Sequence, residues 1–299
     1  MTSFTDRPSA DQAYTDRHWQ SGDGLSLHVR DYAGPEGGIP VLCLPGLTRN
    51  ARDFEGLAAR LAGRWRVLCP DMRGRGDSAY AKNSATYNPL QYVADVNALL
   101  EQEGITRFIA VGTSLGGLMT MLMGMVEPGR IAGAVLNDIG PVIEPEGLAR
   151  IRDYVGQGGT FPTWMHAARA LEEDQSGAFP DYQAADWLAM AKRVMVLNAN
   201  GRIVYDYDMK IAEPFEKPGG EAGVDLWPGL EALGAVPVLF IRGALSDILS
   251  PETLAQMTRR LPKAEAVAVP RTGHAPTLDE PEAAEAIERL LAKIATPVA

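Results

Sequence analysis

Basic charge is scarce in this chain. Its 299 residues carry 28 Lys and Arg against 38 Asp and Glu, a net charge of −10, and the isoelectric point is about 5.0. Phosphate binding needs clustered cations, so nucleic acid is excluded as a main partner. Long apolar runs are missing as well. The richest, Leu115 to Val126, is broken by Thr120 and Gly124 and ends at Glu127, short of the roughly 20 residues a membrane span needs. The first twenty residues are polar and charged, without the apolar centre of a signal peptide. A cytoplasmic location, away from membranes, is the resulting expectation. There are two cysteines, Cys43 and Cys69, each inside an apolar strand-like run. With no CxxC pattern they read as buried thiols, not a disulfide or redox pair. Four histidines without a Cys/His cluster give no reason to expect a structural metal, and no cofactor is expected.

The chain does hold one strong pattern. Phe108 to Gly112 is an apolar run that reads as a buried strand, and Leu118, Met119, Leu122 and Met123 recur on one helical face. Between them stands Gly112-Thr113-Ser114-Leu115-Gly116, a G-x-S-x-G sequence. Strand before and helix after is the setting of a nucleophile elbow. A serine hydroxyl is a weak nucleophile and must be held out on a sharp turn within reach of a base. The start of the helix aims free N–H groups and a positive dipole end at the same point, where they can steady an oxyanion.

The rest of the chain supplies candidate partners. Met1 to about Ala13 reads as a polar arm. Arg17–Gln20 and Leu25–Tyr32 read as a hairpin at the sheet edge, with His28 on its outer face and without a catalytic role. Apolar strands then recur at Pro40–Leu44, Arg66–Pro70, Phe108–Gly112, Ile131–Asn137, Pro237–Gly243 and Ala264–Val269, alternating with helical patterns. That alternation predicts an α/β fold, a mostly parallel sheet covered on both faces. From Gly140 to about Trp227 apolar strands disappear and helical patterns take over, near Glu146–Tyr154, Thr163–Glu172 and Tyr182–Met195. Residues 1–140 and 228–299 are therefore expected to form the core domain, with 141–227 a helical cap inserted into it. Of the cap aromatics Tyr154, Trp164 and Trp187, at least one is expected to face the pocket, and the substrate to carry an apolar portion.

In an open α/β sheet, sites gather at the carboxyl ends of strands. His274 is the one histidine placed so, which makes it the candidate base. The acid that would orient it follows another strand end. Asp247 and Asp138 both qualify; Asp247 is preferred because it gives the order serine, acid, histidine. The oxyanion hole would take backbone N–H groups from Leu115 and from Leu47, in the loop after Leu44.

Four stretches give the chain a clear resemblance: Leu44-Pro-Gly-Leu-Thr48, Asp71-Met-Arg-Gly-Arg-Gly-Asp-Ser78, Gly112-Thr-Ser-Leu-Gly-Gly117 and Gly273-His-Ala-Pro-Thr-Leu-Asp-Glu-Pro-Glu282. It resembles α/β-hydrolase fold enzymes of the serine esterase and lipase kind with an inserted cap, over about Leu25 to Leu291. One departure is Pro45-Gly46 where many members have His-Gly, which removes a side chain near the oxyanion loop. Haloalkane dehalogenase-like and epoxide hydrolase-like members carry aspartate at the elbow, so Ser114 argues against those activities. The resemblance implies acyl transfer to water, with a small-molecule acyl substrate and water as the partners. The expected substrate is a small to medium carboxylic ester or a related lactone or thioester. The alternatives are cleavage of a carbon–carbon bond beside a carbonyl, or a ligand-binding receptor that keeps the triad without turnover.

Overall fold

The structure, a computed structural model, describes residues 13–216 and 225–295. Most of the N-terminal arm and a short part of the insertion lie outside the described residues.

Eight strands form one sheet in the order β1-β2-β4-β3-β5-β6-β10-β11. These are β1 (Thr15–Gln20), β2 (Ser26–Tyr32), β3 (Val41–Leu44), β4 (Val67–Pro70), β5 (Phe108–Thr113), β6 (Ile131–Asn137), β10 (Val238–Gly243) and β11 (Glu265–Val269). From β4 to β11 every pairing is parallel, while β1 and β2 run antiparallel to their neighbours. The central strands are buried end to end, as Val41–Leu44 and Ile131–Asn137 illustrate. Both faces are covered, which is why these strands read as continuous apolar runs and not as alternating ones. One face packs against α2 (Pro89–Gln102), α3 (Leu115–Val126) and α7 (Trp227–Ala232). The other packs against α1 (Glu55–Leu61) and α9 (Pro281–Ala295). α8 (Pro251–Arg260) lies beside β11.

Local chemistry sets the element ends. Asn88 caps α2 by accepting from the Gln91 N–H at 3.0 Å, and Pro89 occupies the first helical position, where no donor is needed. Ser250 and Pro251 start α8 in the same way. Cys43 and Cys69 are both free and buried.

His28 departs from its expected place. The β1–β2 hairpin does lie at one edge of the sheet, but β2 is its inner strand, between β1 and β4, and the His28 ring is 1% exposed. Its Nδ1 lies 2.7 Å from Asp71 Oδ2 and its Nε2 lies 2.8 Å from Asp16 Oδ1. Alternation along β2 does place His28 opposite Leu27 and Val29, but that face is covered as well, and polar partners there satisfy the ring.

The insertion contains α4 (Pro145–Tyr154), α5 (Trp164–Gln175) and α6 (Ala184–Val194), near the expected spans. It also contains a three-stranded antiparallel sheet of β7 (Thr160–Phe161), β8 (Met195–Leu197) and β9 (Ile203–Tyr205). These strands are too short to show a period of two, and β8 follows α6 without a break. The sequence signal was Asn200-Gly201, a hairpin turn with Gly201 at φ +68°. The insertion has a core of its own, with Trp187 fully buried among Ala167, Leu171, Phe179, Met190 and Ile203. Truncating such a residue costs about 3–5 kcal/mol. Polar ties join it to the main sheet. Arg52 donates to the Arg193 carbonyl at 3.0 Å and to Asp206 Oδ2 at 2.6 Å, and the Gly273 N–H donates to the Ala178 carbonyl at 2.6 Å.

Candidate active site

Ser114 sits between β5 and α3 with φ +52° and ψ −115°. A non-glycine residue there carries strain, which the surroundings must impose. They do so through close backbone contact. A Cβ on Gly116 would lie 2.0 Å from the Leu44 carbonyl oxygen, and one on Gly112 would lie 2.4 Å from the Gly116 carbonyl carbon. Only glycine at both positions lets the chain reverse so tightly. The Ser114 N–H donates to the Asn137 carbonyl at 3.0 Å, and the Ser114 carbonyl accepts from Gly117 and Leu118 as α3 begins. Leu115 is the first residue of that helix, so its N–H has no intrahelical acceptor.

The loop after β3 lies against the elbow. A Cβ on Gly46 would come within 3.8 Å of Ser114 Cβ. Two bonds hold the following peptides. The Arg49 N–H donates to the Gly46 carbonyl at 3.2 Å, which orients the peptide plane carrying the Leu47 N–H. Arg75 Nε donates to the Leu47 carbonyl at 2.8 Å. Arg75 is fully buried; its Nη1 donates to the Arg73 carbonyl and the Tyr92 hydroxyl, and its guanidinium stacks on the Tyr92 ring. No single motif position marked Arg75 as a neighbour of this loop.

His274 Nε2 lies 2.9 Å from Ser114 Oγ, and His274 Nδ1 lies 2.8 Å from Asp138 Oδ2. The carboxylate on His274 is thus Asp138, not Asp247 as chain order suggested. Asp138 is fully buried at φ +55°, directly beyond β6. Its Oδ1 accepts from the Gly243 N–H at 2.8 Å, and its Oδ2 also accepts from Ser246 Oγ at 2.6 Å. Three donors therefore share this buried carboxylate. Asp247 turns the other way and takes a bidentate pair from Arg150 in α4, at 2.5 and 2.8 Å. Burial pushes the Asp247 carboxyl up, but the Arg150 guanidinium outweighs it and holds the group below the usual carboxylate range. Ser246 explains the exchange. It lies in the loop after β10, next to Asp247, and its hydroxyl donates to Asp138. Asn137 supports the same ends, donating from Nδ2 to Thr113 Oγ1 at 3.0 Å and to the Pro276 carbonyl at 2.8 Å.

Above these groups lies a cavity of about 440 Å³, bounded by the elbow, the Gly46–Arg49 loop, the His274 loop and the insertion. Tyr154 lines it, whereas Trp187 belongs to the insertion's own core and Trp164 packs against that core. The wall is less apolar than those aromatics suggested. Leu47, Phe54, Ile151 and Phe179 share it with Arg49, Arg150, Arg193 and Asp53. Burial pushes the phenol of Tyr205, also on the wall, up to about 12, so it stays a protonated donor.

A serine hydroxyl hydrogen-bonded to an imidazole, which is in turn bonded to a buried carboxylate, can deprotonate the serine and steady the imidazolium that results. The alpha/beta hydrolase family profile matches residues 41–287, a span that includes all three groups.

The chain belongs to the alpha/beta hydrolase family.

It is therefore an enzyme of hydrolase fold, as its relatives are. A crystal structure of an alpha/beta hydrolase from Novosphingobium aromaticivorans is 62% identical, with a TM-score of 0.91, covering 94% of this chain and 99% of that one. The 3-hydroxybutyrate-oligomer hydrolase of Cupriavidus necator is 34% identical over 262 residues, 85% of this chain and 89% of that protein. The 2-(acetamidomethylene)succinate hydrolase of Mesorhizobium japonicum is 26% identical over 253 residues, 84% and 85% of the two chains. Among the described residues no helix is long and apolar enough to cross a membrane.

Proposed function

We propose that the protein hydrolyses small to medium carboxylic esters through an acyl-enzyme on Ser114. The observation that carries this is the continuous hydrogen-bonded line from Ser114 Oγ through His274 to Asp138. His274 takes the Ser114 proton as Oγ attacks the ester carbonyl. The N–H groups of Leu47 and Leu115 receive the oxyanion. His274 then returns the proton to the departing alcohol, and the acyl group remains on Ser114. A water molecule gives its proton to His274 and attacks the acyl carbonyl, releasing the acid and restoring the serine.

The cavity volume supports a substrate of modest size, since ligand pockets run from about 300 to 1,000 Å³. Similarity to a hydrolase of 3-hydroxybutyrate oligomers supports an ester linkage in a short substrate. Short p-nitrophenyl esters test the reading directly. Ser114→Ala should lower their turnover by about 10⁴- to 10⁶-fold, and Ser114→Ala with His274→Ala should be scarcely worse than either alone. Near-normal turnover by Ser114→Ala would sink the proposal.

A further inference from the structure

The cavity wall holds three arginines, Arg49, Arg150 and Arg193, and their surroundings differ. Arg49 Nε is bound to Asp53 at 2.6 Å. Arg150 has both arms of its fork on Asp247. These two are neutralised at close range by carboxylates of their own. Arg193, in the last turn of α6, is not. Its ionic partner among the described residues is Asp279 Oδ2, at 3.7 Å. That carboxylate is already engaged by Arg60, whose Nη1 lies 2.5 Å from Asp279 Oδ1. Two guanidinium groups thus share one carboxylate, and the nearer one is Arg60. Within this trio two cations share one carboxylate, Glu280 nearby makes no ion pair with either among the described residues, and the Arg193 end borders the cavity.

This excess stands out against the rest of the molecule. The chain has a net charge of −10, so its general field repels anions. The two uncommitted acids of the wall, Asp153 and Asp174, are exposed residues on the insertion side. Arg193 is half-buried, with its side chain 24% exposed. A guanidinium in such a place is partly stripped of water, and a carboxylate would restore the hydrogen bonds it has lost, with the bidentate geometry the fork favours.

We infer that Arg193 binds a carboxylate of the substrate, so that the preferred esters are anionic: the carboxylate lies either on the acyl part, as in a dicarboxylic half-ester, or on the alcohol part, as in an ester of a hydroxy acid. This rests on the ester-hydrolase reading of the same cavity. It adds a requirement that Ser114, His274 and Asp138 do not impose, since they act on any ester the cavity admits.

Two matched substrate pairs test it and separate the two sources of the carboxylate. The first compares p-nitrophenyl hemisuccinate with p-nitrophenyl valerate, which differ in the charge of the acyl end. The second compares 3-butyryloxybutanoate with its methyl ester, which differ in the charge of the alcohol part. The quantity read is the anionic-to-neutral ratio of kcat/KM, which does not depend on how much of a variant is folded. In at least one pair the wild-type protein should favour the anion. There Arg193→Gln should cut the ratio about 10- to 100-fold, the range of a charge-assisted hydrogen bond. Arg193→Lys, which keeps the charge and loses the fork, should fall between the two. A preference for the neutral ester in both pairs, or a ratio unchanged in Arg193→Gln, would overturn the inference while leaving the esterase reading intact. Hydrolysis of neither member of either pair would remove both.

Discussion

His274 Nδ1 lies 2.8 Å from Asp138 Oδ2, on a carboxylate that also accepts from Gly243 N–H and Ser246 Oγ. The partners of Asp138 are all donors, so both of its oxygens are engaged and the side chain is held where it fixes one tautomer of the imidazole. Asp247 is spent on Arg150 instead. The substitutions Asp138→Asn and Asp247→Asn therefore separate cleanly. Asp138→Asn should cost about 10⁴-fold in kcat, because an amide stabilises the wrong tautomer and does not balance the imidazolium. Asp247→Asn removes a part-exposed ion pair and should change stability by about 1 kcal/mol or less. Steady-state kinetics on one ester decides between them. The reverse ranking would return the acid role to Asp247.

Arg75 braces the Gly46–Arg49 loop, the proposed source of one oxyanion donor. Its Nε holds the Leu47 carbonyl at 2.8 Å, one peptide beyond the Leu47 N–H proposed to receive the oxyanion. Arg75→Met should leave the Leu47 and Arg73 carbonyls unpaired, with a stability loss of about 2–4 kcal/mol. A loosened loop should lower kcat with little change in KM, because the oxyanion forms only in the transition state. Affinity for a trifluoromethyl ketone, which forms an oxyanion on Ser114, should fall in step with kcat/KM. A variant that lost stability yet bound the ketone normally would leave Arg75 with a packing role alone.

His28 predicts a pH dependence of stability separate from that of activity. Burial lowers its pKa, but the hydrogen bond and charge of Asp71, with Asp16 and Asp77 beside it, outweigh burial and raise it above the ordinary value. The His18 ring lies against it at 5.3 Å. Asp71 also accepts from the Ala51 N–H at 2.6 Å and the Asp77 N–H at 3.1 Å, so the cluster ties the first hairpin to the loops after β3 and β4. A group whose pKa is raised on folding contributes stability that is full below its unfolded value, about 6.5. That contribution disappears as pH rises through the higher folded value. The melting-temperature gap between wild type and His28→Gln should therefore be widest near pH 6 and narrow toward pH 9. A gap that widened with pH would contradict the assignment.

Much of this molecule is written in its local sequence. The parallel strands are legible because burial on both faces demands uninterrupted apolar runs, as in Val41–Leu44 and Ile131–Ala134. The elbow is legible because glycine at 112 and 116 is dictated by backbone contacts within a few residues of Ser114 and with the neighbouring strand. The meeting of Ser114 with His274 follows from strand ends gathering at one edge of a parallel sheet. Tertiary structure decided the rest. Asp138 and Asp247 both follow strands, and one-dimensional order does not say which carboxylate the imidazole reaches. That choice is made by Ser246, which bridges to Asp138, and by Arg150, which arrives from the insertion and takes Asp247 away. The burial of His28 was missed for the same reason, since its partners come from elsewhere in the fold, Asp16 from β1 and Asp71 from the loop after β4. Charges find their partners across the fold, over distances in sequence that periodicity does not span. The excess cation at Arg193 exists because Arg60, more than a hundred residues away in the chain, reaches Asp279 first.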